Sequence, residues 1–131
     1  MMDTLDAFVR DRLAETATSN PGLHASLQEA GGMLLMGTMG IEVALKPDGS
    51  VWVREEDMAS TVRQPWRIAS VQERAGFLND ASERWPELRP LIPARPSGAP
   101  SCGRCNGSGY IIQEIICPSC RSLGWLVESA A

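Results

Sequence analysis

Apolar residues recur at Leu5, Phe8, Val9 and Leu13, with Asp6, Arg10 and Asp11 elsewhere on the wheel, and predict a first helix opening at Asp3 or Thr4. Asn20-Pro21 reads as an N-cap followed by proline at the first helical position. A second, short helix then runs to Ala30 and stops at Gly31-Gly32. Beyond it the pattern shortens to strand length. MLLMGTM (33–39) is apolar and predicts a fully buried strand. IEVALK alternates, with Ile41, Val43 and Leu45 on one face and Glu42 on the other. VWVRE follows Pro47-Asp48-Gly49-Ser50, a turn in which proline fixes φ and glycine accepts a positive φ. Ile41 to Arg54 is therefore a predicted hairpin, and WRIA a fourth short strand. Ser70-Val71-Gln72-Glu73 fits a capping box ahead of Ala75, Phe77, Leu78, Ala81 and Trp85, a helix ending near Trp85-Pro86. PELRPLIP adds a turn or short helix.

PARPSGAP (93–100) carries three prolines among small residues and predicts a stiff, extended linker. The expected organisation is an α+β domain over 1–92, the linker over 93–100 and a tail over 101–131. The expected fold class is α+β: a small antiparallel sheet with flanking helices, followed by a C-terminal four-cysteine zinc ribbon.

All four cysteines fall in the tail, as C-x2-C-x11-C-x2-C: Cys102, Cys105, Cys117 and Cys120. Two residues between cysteines let a tight turn aim both sulfurs at one ion, and two such turns complete a tetrahedral thiolate shell that suits Zn2+. The alternatives for such spacing are two disulfides, an iron–sulfur cluster or a redox-active C-x-x-C pair. Disulfides do not suit a cytoplasmic chain. The start, MMDTLDAF, is acidic where a targeting peptide is basic, and the apolar stretch GGMLLMGTMGI is too short to span a bilayer. A cytoplasmic protein with no membrane partner is expected. A tail of about 30 residues is too small to bury a sufficient core, so the metal must supply much of its folding free energy.

The tail is also an internal repeat. CGRCNGSGYI and CPSCRSLGWL align over ten residues, each with a glycine four places after its second cysteine, then an aromatic and an aliphatic residue. Gly107 and Gly109 let the backbone turn closely under Cys105, so that amide N–H groups point at sulfur; Gly124 is the equivalent of Gly109. YIIQEII (110–116) is expected to form one strand, paired with a strand starting at Trp125. Arg104 and Arg121 are placed to offset part of the negative charge of a four-thiolate site. The aliphatic and aromatic side chains from Ile111 to Leu126 are too many for one ribbon to hide, so some are expected to dock on the main domain or on a partner.

CGRCNGSG resembles the C-x-x-C-x-G-x-G repeat of the DnaJ-type chaperone cysteine-rich zinc domain, and CPSCRSLG matches it with Ser122 in place of the first glycine. The likeness covers residues 102–126. In that family four repeats bind two zinc ions and help hold client protein; two repeats suffice for one ion. The resemblance implies the ligand role of Cys102, Cys105, Cys117 and Cys120, and a tendency to bind protein. No His-Pro-Asp motif accompanies it, so stimulation of a chaperone ATPase is not implied.

Composition narrows the function classes. With 12 Lys and Arg against 16 Asp and Glu, the formal net charge is -4, which argues against a nucleic-acid partner. Within the tail, Arg104 and Arg121 balance Glu114 and Glu128. His24 is the only histidine, and neither G-x-S-x-G nor H-E-x-x-H accompanies it, so no catalytic constellation is legible. Glu55-Glu56-Asp57 reads as a solvated loop, Trp52, Trp66 and Trp85 as core or half-buried anchors, and Met33, Met36 and Met39 as core filling. The expected function is a non-enzymatic zinc-binding adaptor or chaperone-like protein with a protein partner and structural zinc. A nucleic-acid- or translation-associated zinc ribbon and a thiol–disulfide redox protein are the alternatives.

Overall fold

The computed structural model describes residues 2–38, 40–55, 64–112 and 115–127. It consists of helices, a small antiparallel sheet and, toward the C-terminus, a cluster of four cysteines. The chain divides into two compact units, Met1–Ala69 and Ser70–Ala131. The expected boundary at 93–100 is thus not where the units separate. The reason is that the helix after Ser70 bonds directly to the cysteine loops rather than standing apart from them.

The first unit begins with α1 (Met2–Ser19) and α2 (Pro21–Ala30). Asn20 caps α2 by accepting from the Leu23 N–H at 3.2 Å, Pro21 opens the helix, and Gly31 closes it at φ 82. Four strands follow, β1 (Met33–Thr38), β2 (Ile41–Leu45), β3 (Val51–Glu55) and β4 (Arg67–Ile68), each antiparallel to the one before it. The Lys46–Ser50 turn closes as its sequence demands. The Gly49 N–H donates to the Lys46 carbonyl at 3.0 Å with φ 89, while the Asp48 carboxylate accepts from the Ser50 hydroxyl and N–H. Those bonds hold the Asp48 carboxyl below its ordinary range.

Two strands differ from expectation in their burial. β2 does not alternate between core and solvent: Val43, Ala44 and Leu45 are all buried, because Ala44 packs against Leu27 and Ala30 of α2 on what was the expected polar face. β1 is not fully buried but alternates, with Met33 and Leu35 inside, Leu34 and Met36 half-buried and Gly37 exposed; Met39 lies outside the described residues. Of the acidic run, Glu55 is exposed and pairs with Arg67 across β3 and β4 at 2.9 Å, while Glu56 and Asp57 lie outside the described residues. Trp52 and Trp66 are half-buried, each under a cation: Lys46 Nζ at 4.0 Å and the Arg54 guanidinium at 4.9 Å from the ring centres.

The second unit opens with α3 (Val71–Ala81), whose capping box is complete: Ser70 Oγ accepts from the Glu73 N–H, and Glu73 accepts from the Ser70 N–H. The chain then turns through Trp85 into a 3-10 helix (Pro86–Leu91) that buries Leu88. The last regular element is a two-stranded hairpin, β5 (Tyr110–Ile112) and β6 (Ile115–Ile116). YIIQEII is therefore not one strand, and among the described residues Trp125 pairs through an isolated bridge to Ser101. The two C-x-x-C turns must meet at one point, so the segment between them has to leave and return. Seven residues extended in one direction would carry the chain roughly 23 Å away.

Candidate metal centre

Each C-x-x-C forms a tight knuckle, and the two are built alike. The left-handed φ angles of Asn106 (56), Gly107 (82) and Gly109 (86) reappear fifteen residues on at Arg121 (56), Ser122 (78) and Gly124 (89). The knuckles also exchange equivalent bonds. The Cys102 N–H donates to the Gly124 carbonyl and the Cys117 N–H to the Gly109 carbonyl, both at 2.9 Å. Gly109 and Gly124 have to be glycine at this crossing. A Cβ on Gly109 would lie 2.5 Å from the Ser122 carbonyl oxygen, and one on Gly124 would lie 2.7 Å from the Gly107 carbonyl oxygen. Both amides also point at sulfur, Gly109 to Cys105 Sγ at 3.2 Å and Gly124 to Cys120 Sγ at 3.3 Å, as the glycine spacing implies.

The four Sγ atoms lie within 4.8 Å of one another and are buried, between 0% and 6% exposed. The nearest sulfurs belong to different knuckles: Cys102 to Cys117 at 3.7 Å and Cys105 to Cys120 at 3.6 Å. Four sulfurs at about 2.3 Å from a central zinc stand about 3.8 Å apart. The observed contacts match that edge and are far longer than a disulfide, and all four cysteines are free. The donor set thus fits a tetrahedral thiophilic ion, with all four corners filled by protein. Ile111, Leu123 and Leu126 pack around the sulfurs and keep water away.

Without an ion Cys105 and Cys120 titrate unequally. Burial pushes the Cys105 thiol up, but N–H donation from Gly109 and contacts with Cys120 and Cys102 outweigh it and bring it down to about 7. Burial, reinforced by its cysteine neighbours, pushes Cys120 up to about 12. Loading at neutral pH must therefore expel protons, Cys120 supplying one. Metal affinity is expected to rise with pH, by about tenfold per pH unit for each proton displaced. Calorimetric titration with Zn2+ in buffers of different ionisation enthalpy counts these protons. A heat independent of the buffer would refute the assignment.

All four expected ligands thus converge. Of the other expected site features, Arg121 does not face sulfur but lies over the Phe77 ring at 5.6 Å, with Glu73 3.8 Å away, and Arg104 is exposed on the first knuckle. His24 is half-buried on α2. Among the described residues, no second group of histidines, cysteines or carboxylates is placed to hold a metal. Ser122, the departure from the repeat, is buried; its hydroxyl donates to the Gly76 carbonyl at 3.0 Å, and its carbonyl accepts from Asn79 Nδ2 at 3.1 Å. Gln72, Gly76 and Asn79 thus support the centre although nothing in the cysteine motif points to them. Their signal was the i, i+4, i+7 spacing of two amides and a glycine along a helix that also carries Ala75, Phe77 and Leu78.

No protein-family model matches the chain, and no curated protein or solved structure matches it. Among the described residues, no helix is long and apolar enough to cross a membrane.

Proposed function

We propose that this chain is a non-enzymatic, cytoplasmic zinc protein that binds a protein partner, with zinc as a structural ion. The closed, buried shell of four cysteines carries the reading. A zinc with four thiolates offers no open position for water or substrate, so its contribution is to folding rather than to chemistry. The partner reading draws on the hairpin that the centre anchors. Ile112 and Ile115 face each other across β5 and β6 and are 63% and 57% exposed. Two exposed aliphatic side chains on a metal-braced ribbon suit contact with apolar protein surface. The likeness to the DnaJ-type repeat points the same way, toward holding of unfolded protein. The second unit carries six Arg against six Asp and Glu, so no basic footprint favours nucleic acid.

Elemental analysis of purified protein is expected to find one zinc per chain, and the Co2+ form to show a tetrahedral thiolate spectrum. The zinc protein is expected to slow light scattering by a heat-denaturing reporter enzyme, and an Ile112→Ser/Ile115→Ser double variant to lose that effect with its zinc retained. A zinc-loaded wild type no better than the double variant would remove the protein-holding part of the proposal.

A further inference from the structure

Helix α3 meets the second knuckle through one stripe of side chains, whereas most of the first knuckle faces solvent. Gln72 Nε2 donates to the Cys120 carbonyl at 3.1 Å and to the Trp125 carbonyl at 3.0 Å, while its Oε1 accepts from the Val127 N–H at 2.7 Å. One helical turn on, Gly76 lies so close to the knuckle that a Cβ would stand 2.2 Å from the Arg121 carbonyl oxygen. Asn79 then donates to the Ser122 carbonyl. In the first knuckle Gly103, Arg104, Asn106, Gly107 and Ser108 are all exposed. The two repeats have thus diverged in role: the second is the docking surface of a helix, and the hydroxyl of Ser122, which stands in the left-handed position of Gly107, donates to that helix.

We propose that metal occupancy of the four-cysteine centre sets whether α3 is folded, with Gln72 as the positioning residue that joins the two. This rests on the metal reading above and extends it from the cysteine loops to the helix. At eleven residues, α3 is shorter than the roughly 12–15 at which an isolated helix becomes even marginal in water, and it carries a glycine in its interior. Its order therefore comes from docking. It docks partly on the 3-10 helix, where Arg74 Nη1 donates to the Leu91 carbonyl at 3.3 Å, and along its Gln72–Asn79 stripe on irregular backbone bearing three left-handed residues, Arg121, Ser122 and Gly124, a shape held by convergence of Cys117 and Cys120 on one ion. Removing the ion releases the loop, and with it the Cys120, Trp125 and Ser122 carbonyls that accept from Gln72 and Asn79. Such coupling is reciprocal. Substitutions on α3 that spoil the docking must weaken metal binding, although these residues touch no ion.

Full-length protein is titrated with Co2+ while the thiolate-to-cobalt bands report the four-sulfur shell, and amide hydrogen exchange across 71–81 reports α3. Chelation is expected to accelerate exchange throughout 71–81. Gln72→Leu is expected to weaken Co2+ affinity by about 10–100-fold, the range for outer-shell partners. Gly76→Ala separates the explanations, because alanine favours helix more than glycine does. An autonomous α3 would become more helical and leave affinity unchanged; a docked α3 would lose affinity by at least about tenfold. Exchange protection of 71–81 that survives chelation, or wild-type affinity in both variants, overturns the proposal. Absence of the tetrahedral cobalt spectrum from the wild type would instead remove the metal reading beneath it. The wild-type exchange comparison needs no variant, so misfolding of a variant leaves the proposal open to refutation.

Discussion

Serine in place of Cys117 is expected to abolish high-affinity metal binding and to unfold the second unit while the first unit stays folded. The size of the effect follows from what else holds the second unit together. Among its described residues, the sheet is a hairpin of three and two residues, and two-stranded hairpins are marginal in water. Its apolar core is a short helix face, Leu88 and Trp125 beside the four sulfurs. A structural zinc contributes about 10–16 kcal/mol in apparent terms, as much as the whole stability of a typical domain. Loss of one ligand leaves three thiolates, a buried hydroxyl and an incomplete shell. Trp125, 7% exposed and bridged to Ser101, is then expected to become solvated, with a red-shifted emission. Limited proteolysis should cut within 102–127 in the variant and in chelated wild type, yet spare the strands between Met33 and Glu55. Equal resistance with and without chelator would show that the cysteine cluster is not a folding metal site. Simultaneous loss of the N-terminal strands would show that the two units fold as one.

The contrast between what was legible in the chain and what was not has a physical pattern. Local chemistry read correctly. Asn20-Pro21, Pro47-Asp48-Gly49 and Ser70-x-x-Glu73 act within four residues of themselves, and each cap or turn forms with the bonds its residue types imply. The cysteines were legible because C-x-x-C is also local and two copies need only one ion between them. What went astray depended on the path between local features. YIIQEII has strand composition throughout, but its direction is set by the need to bring Cys105 and Cys117 back together, and that constraint lies in the ligands rather than in the segment. The proline-rich stretch at 93–100 has linker composition, yet Gln72, Gly76 and Asn79, all before it in the chain, belong to the same compact unit as the cysteines after it. Burial of β2 on both faces was hidden for a similar reason: alternation in IEVAL reports one covered face, and the small side chain of Ala44 is what admits α2 on the other.

Arg54 was the deepest miss of this kind, and the second large effect is expected there. The hairpin reading of Ile41 to Arg54 assigns this arginine no partner, yet the side chain is only 1% exposed. Its cross-strand partner on β2 is Glu42, and the guanidinium donates to that carboxylate, to Ser26 Oγ of α2, and lies against Trp66. Glu42 retains 15% exposure, so the pair is largely withdrawn from water. Taking two charges out of water is costly, and their attraction repays it only while both are present. Arg54→Met is therefore expected to destabilise the first unit by about 3–5 kcal/mol, the usual cost of leaving one buried charge unpartnered. Arg54→Met combined with Glu42→Leu is expected to recover most of that loss, since apolar replacement of a whole buried pair is often neutral or stabilising. Urea unfolding of the full chain, followed by Trp52 and Trp66 emission with Trp85→Phe and Trp125→Phe in the background, measures both steps. A single-variant cost under about 1 kcal/mol, as for pairs at the surface, would mean that Arg54 is solvated in the folded protein. A double variant no better than the single one would mean that Arg54 acts through packing on Trp66 and Ser26 rather than through its charge.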